Sequence, residues 1–479
     1  MLEIFDNLFK ALHAADVTFC NWKGHHALEN HLDGDGDLDL FVPLRCKAEF
    51  EKIAESEDFR RVISYQADHD FIEHYYGLDK ATFKFAHIHV YFKIVTGEHV
   101  SKNYILPLEK YILNNLDTSS ILPTISVGGQ HNIFLIRYFL KVGSLYGLLQ
   151  YWREIGKYLN EWSSYNHNHE YESVLDLDLS SEELHEMSNV YESSSFFKKL
   201  LLSLRLKRRL RRFRRRSYFQ QQIYIVKNFI SRLINRFFLK KQKLLTPGLV
   251  VAICGLDGSG KSSLVFALNE NYSRHFCVKV LHAGRPASNV LTFFFNPLIA
   301  IYSFLKRIKA VSKKNYLVKS ANNISIIYAI RSVLLAYDRK VETIKAHKCS
   351  KNGYLVICDR YPGLGVGKMD SPRIPLNGSR GSLYQFCYNL EQKLYRSIKP
   401  ANIIFQLSVP LEIAIDRNNK REKIGKETED ELRERFLLNS DAVFLAENYN
   451  FIDATAPFKN VLLQVTDSIW RSKTWKVNG

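Results

Sequence analysis

Long apolar runs are scarce in this sequence. The greasiest stretch, residues 290–305, is interrupted by Asn296-Pro297 and falls short of the ~20 residues a membrane-spanning helix needs. An integral membrane protein is therefore not expected. Paired cysteines are missing too. The seven present (Cys20, Cys46, Cys254, Cys277, Cys349, Cys358 and Cys387) are scattered, odd in number and form no CxxC pair. They build neither a disulfide frame nor a cysteine-ligated zinc site, and they read as buried thiols of a reducing cytosol. Residues 1–10 contain Glu3 and Asp6 and lack a basic flank ahead of an apolar core. No secretory signal is expected, and the location read from the sequence is cytoplasmic.

What the chain does have is length and positive charge. Its 479 residues predict two or three domains, each with its own core. A formal net charge of +18 predicts attraction to something anionic.

The stretch around which the rest is organised is Gly255-Leu256-Asp257-Gly258-Ser259-Gly260-Lys261-Ser262, followed by Ser263. It comes after the apolar run Leu249-Val250-Val251-Ala252-Ile253-Cys254 and before Leu264, Ala267 and Leu268 at helical spacing. Strand, glycine turn and helix start in that order form a cradle for phosphates, with backbone N–H groups and the helix dipole facing the negative charge. Lys261 is then placed for the β and γ phosphates of ATP, and the Ser262 hydroxyl for Mg2+.

Towards the N-terminus, residues 1–14 predict a helix burying Leu2, Phe5, Leu8, Phe9 and Leu12, and residues 17–22 a strand. Alternation over residues 37–42 puts Asp37 and Asp39 on one face of a strand, where two carboxylates can share a divalent cation. A glycine turn followed by Asp-x-Asp on a strand resembles the nucleotidyltransferase fold of the DNA polymerase β type over roughly the first hundred residues. That resemblance implies an α+β domain and a metal at Asp37 and Asp39. Where the family carries a third acid, the later strand Ala86-His87-Ile88-His89-Val90-Tyr91-Phe92 carries histidines, of which His89 is a candidate base or ligand.

Residues 132–162 are patterned as helix, and residues 165–195 read as a polar, exposed connector. From Lys198 to Arg216 the composition turns strongly basic, while Leu202, Leu206, Leu210 and Phe213 share one helical face. The apolar period resumes with Ile223, Val226, Ile230, Leu233, Ile234 and Phe237. A basic face opposite an apolar one predicts a helix lying on an anionic membrane surface through residues 198–243. Docking of the apolar face within the protein, and nucleic acid, are the alternatives.

The second half alternates apolar strands with helices, so a parallel sheet covered on both faces is expected. In order it carries the glycine turn, Asp359-Arg360-Tyr361, Pro410-Leu411-Glu412-Ile413-Ala414-Ile415-Asp416-Arg417 and Ile452-Asp453-Ala454. These motifs together resemble thymidylate kinase and its relatives. The resemblance implies that Asp257 receives a hydroxyl of the acceptor's sugar and that Arg285 meets the acceptor phosphate. It places Asp359 by the metal, Arg360 by the transferring phosphoryl group, and Arg417, Lys420 and Arg421 in a lid over ATP. Residues 362–373 replace the segment with which thymidylate kinases hold thymine, so the acceptor pocket is rebuilt. Similar divergent domains are associated with surface-polysaccharide biosynthesis.

The expected organisation is an α/β chain in four parts: residues 1–125, nucleotidyltransferase-like; 126–195, helical region and connector; 196–244, basic amphipathic linker; 245–479, kinase-like P-loop domain. The expected function is ATP- and Mg2+-dependent transfer of a phosphoryl group to a nucleoside monophosphate or another sugar-bearing acceptor. A nucleotide-sensing module on a membrane assembly, or nucleotidyl transfer by the first domain, are the alternatives. A second copy of the chain, as a homodimer, is a further candidate partner.

Overall fold

The computed structural model describes residues 1–63, 70–98, 101–142, 156–165, 171–238, 243–244, 248–284, 286–287, 292, 326–376, 381–420, 428–439 and 441–472. Two compact units divide the chain, Met1–Leu245 and Thr246–Gly479.

The first unit contains strands β1 (Cys20–Asn21), β2 (Asp37–Phe41), β3 (Arg60–Ile63), β4 (Ile72–Leu78), β5 (Phe85–Tyr91), β6 (Ile94–Thr96), β7 (Tyr104–Leu106), β8 (Leu116–Asp117), β9 (Thr124–Ile125) and β10 (Lys243–Leu244). Eight of them form one sheet in the order β10-β3-β4-β5-β2-β1-β9-β8, while β6 and β7 pair as a hairpin. Leu38, Leu40, Ile88 and Val90 point to one face of this sheet, into a core closed by Phe5, Leu8, Phe9 and Leu12 of the helix Glu3–Ala14. A second core gathers Trp22, Tyr91, the helix Val127–Val142 and the segment that follows it.

That segment differs from the exposed connector read in the sequence. Ser180 and Glu183 form a capping box at the start of the helix Ser181–Glu192, whose Leu184, Met187 and Tyr191 are buried. Polar residues dominate the composition there, but apolar residues at helical spacing decide the packing.

The basic segment likewise turns inward at first. In the helix Phe196–Arg209, Ser203, Leu206 and Lys207 are buried, and Leu206 and Leu210 join the second core. Several cations have protein partners: Lys207 pairs with Glu98 at 3.4 Å and Arg212 with Asp178 at 2.6 Å. The next helix, Tyr218–Phe238, does the opposite and leaves Phe219, Ile223, Val226, Phe229 and Ile230 half exposed or more.

The second unit holds β11 (Val250–Gly255), β12 (Val278–Leu281), β13 (Leu355–Asp359), β14 (Ala401–Ser408) and β15 (Ala446–Asp453). All pair in parallel, in the order β12-β13-β11-β14-β15. The glycine turn thus leaves the central strand, at the carboxyl edge where open α/β sheets bind ligands. Every residue of β11 is buried, so that edge is fixed by the core beneath it.

Among the described residues no helix is long and apolar enough to cross a membrane. The run 290–305 lies outside the described residues except for Thr292.

Candidate active site

The turn after β11 is shaped by backbone that only glycine adopts readily. Gly258 has φ of 88°, and a Cβ there would lie 2.7 Å from the carbonyl oxygen of Ala414. Gly260, at φ 91°, is the left-handed cap of the helix Lys261–Ser273. With no side chains in the way, the helix N-terminus is open to an anion. Ser262 and Ser263 stand exposed on its first turn.

Asp257 is the centre of charge. Its carboxylate accepts from Arg360 at 2.5 Å and from Arg435 at 2.8 Å, and Lys261 Nζ lies 3.4 Å away. Burial works to raise the pKa of Asp257, but Lys261, Arg360 and Arg435 outweigh it and bring the carboxyl down to about 2. Lys261 also donates to the backbone oxygen of Leu256 at 2.6 Å. Burial, and then the Arg360 charge, push the lysine down to about 8.

Arg360 adopts the left-handed conformation, at φ 67°. A non-glycine residue there is strained unless its surroundings hold it. Here they do: besides Asp257, Arg360 meets Asp370 at 3.4 Å, and Asp370 is bound in turn by the fully buried Arg339 at 2.8 Å. The segment 362–373 therefore places a carboxylate against the arginine that follows β13. Asp359 ends that strand. Its Oδ1 is buried without a hydrogen-bond partner, which suits a divalent cation that would be held with Ser262.

No protein-family model matches the chain. Over 231 residues it is 24% identical to YghR, an uncharacterised ATP-binding protein of Escherichia coli K12, covering 47% of this chain and 87% of that one. Over 228 residues it is 25% identical to thymidylate kinase of Blochmanniella pennsylvanica, covering 47% and 94% respectively. About half of the chain is a weak homologue of the P-loop kinases.

Two solved structures also align. Thymidylate kinase from Candida albicans has a TM-score of 0.28 at 18% identity, covering 48% of this chain and 94% of its own. Deoxyadenosine kinase from M. mycoides has 0.26 at 17%, covering 46% and 99%.

Within this half, the structure brings Asp257, Lys261 and Arg360 together, with Asp359 acting electrostatically on Lys261 and Arg360. The lid positions are arranged differently. Arg417 donates to the Ala454 carbonyl at 2.9 Å, and Lys420 pairs with Asp416 on its own helix. Arg285 and Arg421 lie outside the described residues. The cation that reaches the glycine turn from beyond the lid sequence is Arg435, on the helix Glu429–Asn439. Sequence reading missed Arg435, and Asp370 and Arg339 with it. The only signal for Arg435 was its place in the charged run that continues past Arg421.

In the first unit, Asp37 and Asp39 share the face of β2 expected for them. Their partners in register on β5 are His87 and His89.

Proposed function

We propose that the second unit is a kinase that moves the γ-phosphoryl group of ATP to a nucleoside monophosphate or another sugar-bearing acceptor. The observation that carries this reading is the convergence of Lys261, Arg360 and Arg435 on Asp257 beside an open helix N-terminus. Three cations around one glycine turn exceed what a structural ion pair requires, and they match the charge of a triphosphate tail. The P-loop kinase homology supports the same reading.

The acceptor oxygen attacks the γ-phosphorus in line while the bond to the bridging β–γ oxygen breaks. Lys261 and the turn's N–H groups hold the phosphate oxygens, and Arg360 and Arg435 meet the charge that accumulates as the group moves. Ser262 and Asp359 would hold Mg2+, which would supply neutralisation of the phosphate charge. Asp257 then has two roles in sequence: it keeps the cations in place, and it offers an oxygen to a hydroxyl of the acceptor once they turn to phosphate. A setting in surface-polysaccharide biosynthesis rests on resemblance alone.

Pure protein incubated with γ-labelled ATP, Mg2+ and a panel of nucleoside monophosphates and phosphosugars should pass label to one class of acceptor. Failure to bind ATP would remove the proposal. ATP binding without transfer to any acceptor would favour the nucleotide-sensing reading.

We also propose that the helix Tyr218–Phe238 meets an anionic membrane surface. Its exposed apolar stripe and the exposed Arg205, Arg208 and Arg211 of the preceding segment support this.

A further inference from the structure

A second group of chemistry-bearing side chains lies in the first unit, across three neighbouring strands. In register, β5 pairs His87 with Asp37 and His89 with Asp39 on β2, and His89 with His74 on β4. Ile88 and Val90, the alternate residues of β5, face the core on the opposite side. All three imidazoles are therefore on one face, beside the two carboxylates. One nitrogen from each of His74, His87 and His89 can be chosen so that the three lie within 4.8 Å of one another.

We propose that His74, His87 and His89 bind a borderline divalent cation of the zinc class, with Asp37 orienting His87 from behind. Imidazole nitrogen selects such ions over Mg2+ and Ca2+, which prefer oxygen ligands.

Geometry supports this in three ways. His87 Nδ1 donates to Asp37, which fixes the tautomer and leaves Nε2 as the lone pair, the carboxylate–histidine–metal arrangement of zinc proteins. That Nε2 lies 3.3 Å from His74 Nδ1. A tetrahedral zinc with bonds of about 2.0–2.1 Å separates its ligand atoms by about 3.3 Å, so the two nitrogens already stand at a shared-metal spacing. Finally, the His89 ring is perpendicular to both others, at 89° and 88°. Its centroid lies 4.2 Å from that of His74 and 4.6 Å from that of His87, while its nitrogens lie 3.5 Å from Asp39 and 3.6 Å from Asp37. Asp37 is half exposed, which leaves a path from solvent.

Charge indicates what completes the shell. Lys23 pairs with Asp39 at 3.0 Å, and Lys23 and Lys102 both donate to the Tyr91 hydroxyl. Two carboxylates and two lysines cancel, so the added ion has no net counter-charge in the protein. The fourth position then suits an oxyanion rather than a neutral molecule. Three protein ligands and one open position is the arrangement of catalytic zinc sites.

The test uses the full chain stripped with chelator. Zn2+ and Co2+ are titrated with competition dyes and by the visible absorption of tetrahedral Co2+, alongside a Mg2+ control. One equivalent should bind tightly, and Mg2+ should not displace it. His87→Gln and His74→Gln should each lose that equivalent and its Co2+ spectrum while retaining the unfolding temperature of the parent. Asp37→Asn should weaken it by about 10–100-fold. If either glutamine variant is folded and binds metal as the parent does, or if the parent shows no tight equivalent, the histidines are a hydrogen-bonded cluster only. Should both glutamine variants unfold, weakened binding of the equivalent in Asp37→Asn plus histidine-type nitrogen ligation in the X-ray absorption of the parent decides for the site, and their absence decides against it.

Discussion

The Arg435 guanidinium lies 2.8 Å from the Asp257 carboxylate, across 178 residues of sequence. No local pattern announces that contact, yet it brings a third cation to the glycine turn.

If Arg435 acts on the moving phosphoryl group, Arg435→Ala should lower kcat by roughly a hundredfold or more with a smaller change in KM for ATP. Arg433→Ala, which removes a pair with Glu429 on the exposed side of the same helix, should leave both constants near those of the parent. Steady-state kinetics of the two variants checks this. A rise in KM alone would make Arg435 a binding residue.

ATP binding should weaken in alkali. Lys261 must be protonated to hold phosphate, and in the free protein it titrates at about 8. Its charge is present below that pH and lost as pH rises through it. At pH 9 affinity should be roughly tenfold lower than at neutral pH, and Lys261→Arg should abolish that dependence. For stability the sign is opposite. The unfolded chain binds the extra proton up to the ordinary value of 10.5, so the destabilisation is full below about 8 and fades as pH rises towards 10.5. Calorimetric titration with ATP across the range checks the first part.

Arg339 and Asp370 form a buried pair at 2.8 Å, in which Arg339 also donates to the Gly284 carbonyl. Removing Asp370 leaves Arg339 buried without a carboxylate, and removing Arg339 leaves Asp370 buried with only the longer 3.4 Å contact to Arg360. Arg339→Met should cost about 3–5 kcal/mol of stability, read by denaturant unfolding. Removing Asp370 as Asp370→Asn should in addition loosen Arg360, and hence lower activity at temperatures where the protein is still folded.

Flotation with vesicles should find the protein on anionic lipid and not on neutral lipid. Replacing Val226 and Ile230 with serine should release it, because each loses an exposed apolar side chain that would otherwise enter the interface. Retention of the double variant on vesicles would locate any membrane contact elsewhere.

The glycine turn could be read from sequence because its determinants are contiguous: a buried strand, three glycines and a helix start. The order of β11 to β15 could also be anticipated from their apolar runs. Arg435 and the pair Arg339–Asp370 could not, since each is joined to the site by tertiary packing alone. The same holds for the histidines. His87 and His89 stand out on one strand, but His74 meets them only through the pairing of β4 with β5. In the basic segment, helical spacing of Leu206 and Leu210 showed an apolar face and not which surface would cover it. The core of the unit covers them.

The absence of a side chain at position 258 has a mechanical result. The Ala414 carbonyl oxygen comes within 2.7 Å of where a Cβ would stand, so the turn and the helix Leu411–Asn419 pack backbone against backbone. A larger residue at position 258 would force the two apart, so the seating of that helix depends on a turn more than 150 residues earlier in the chain.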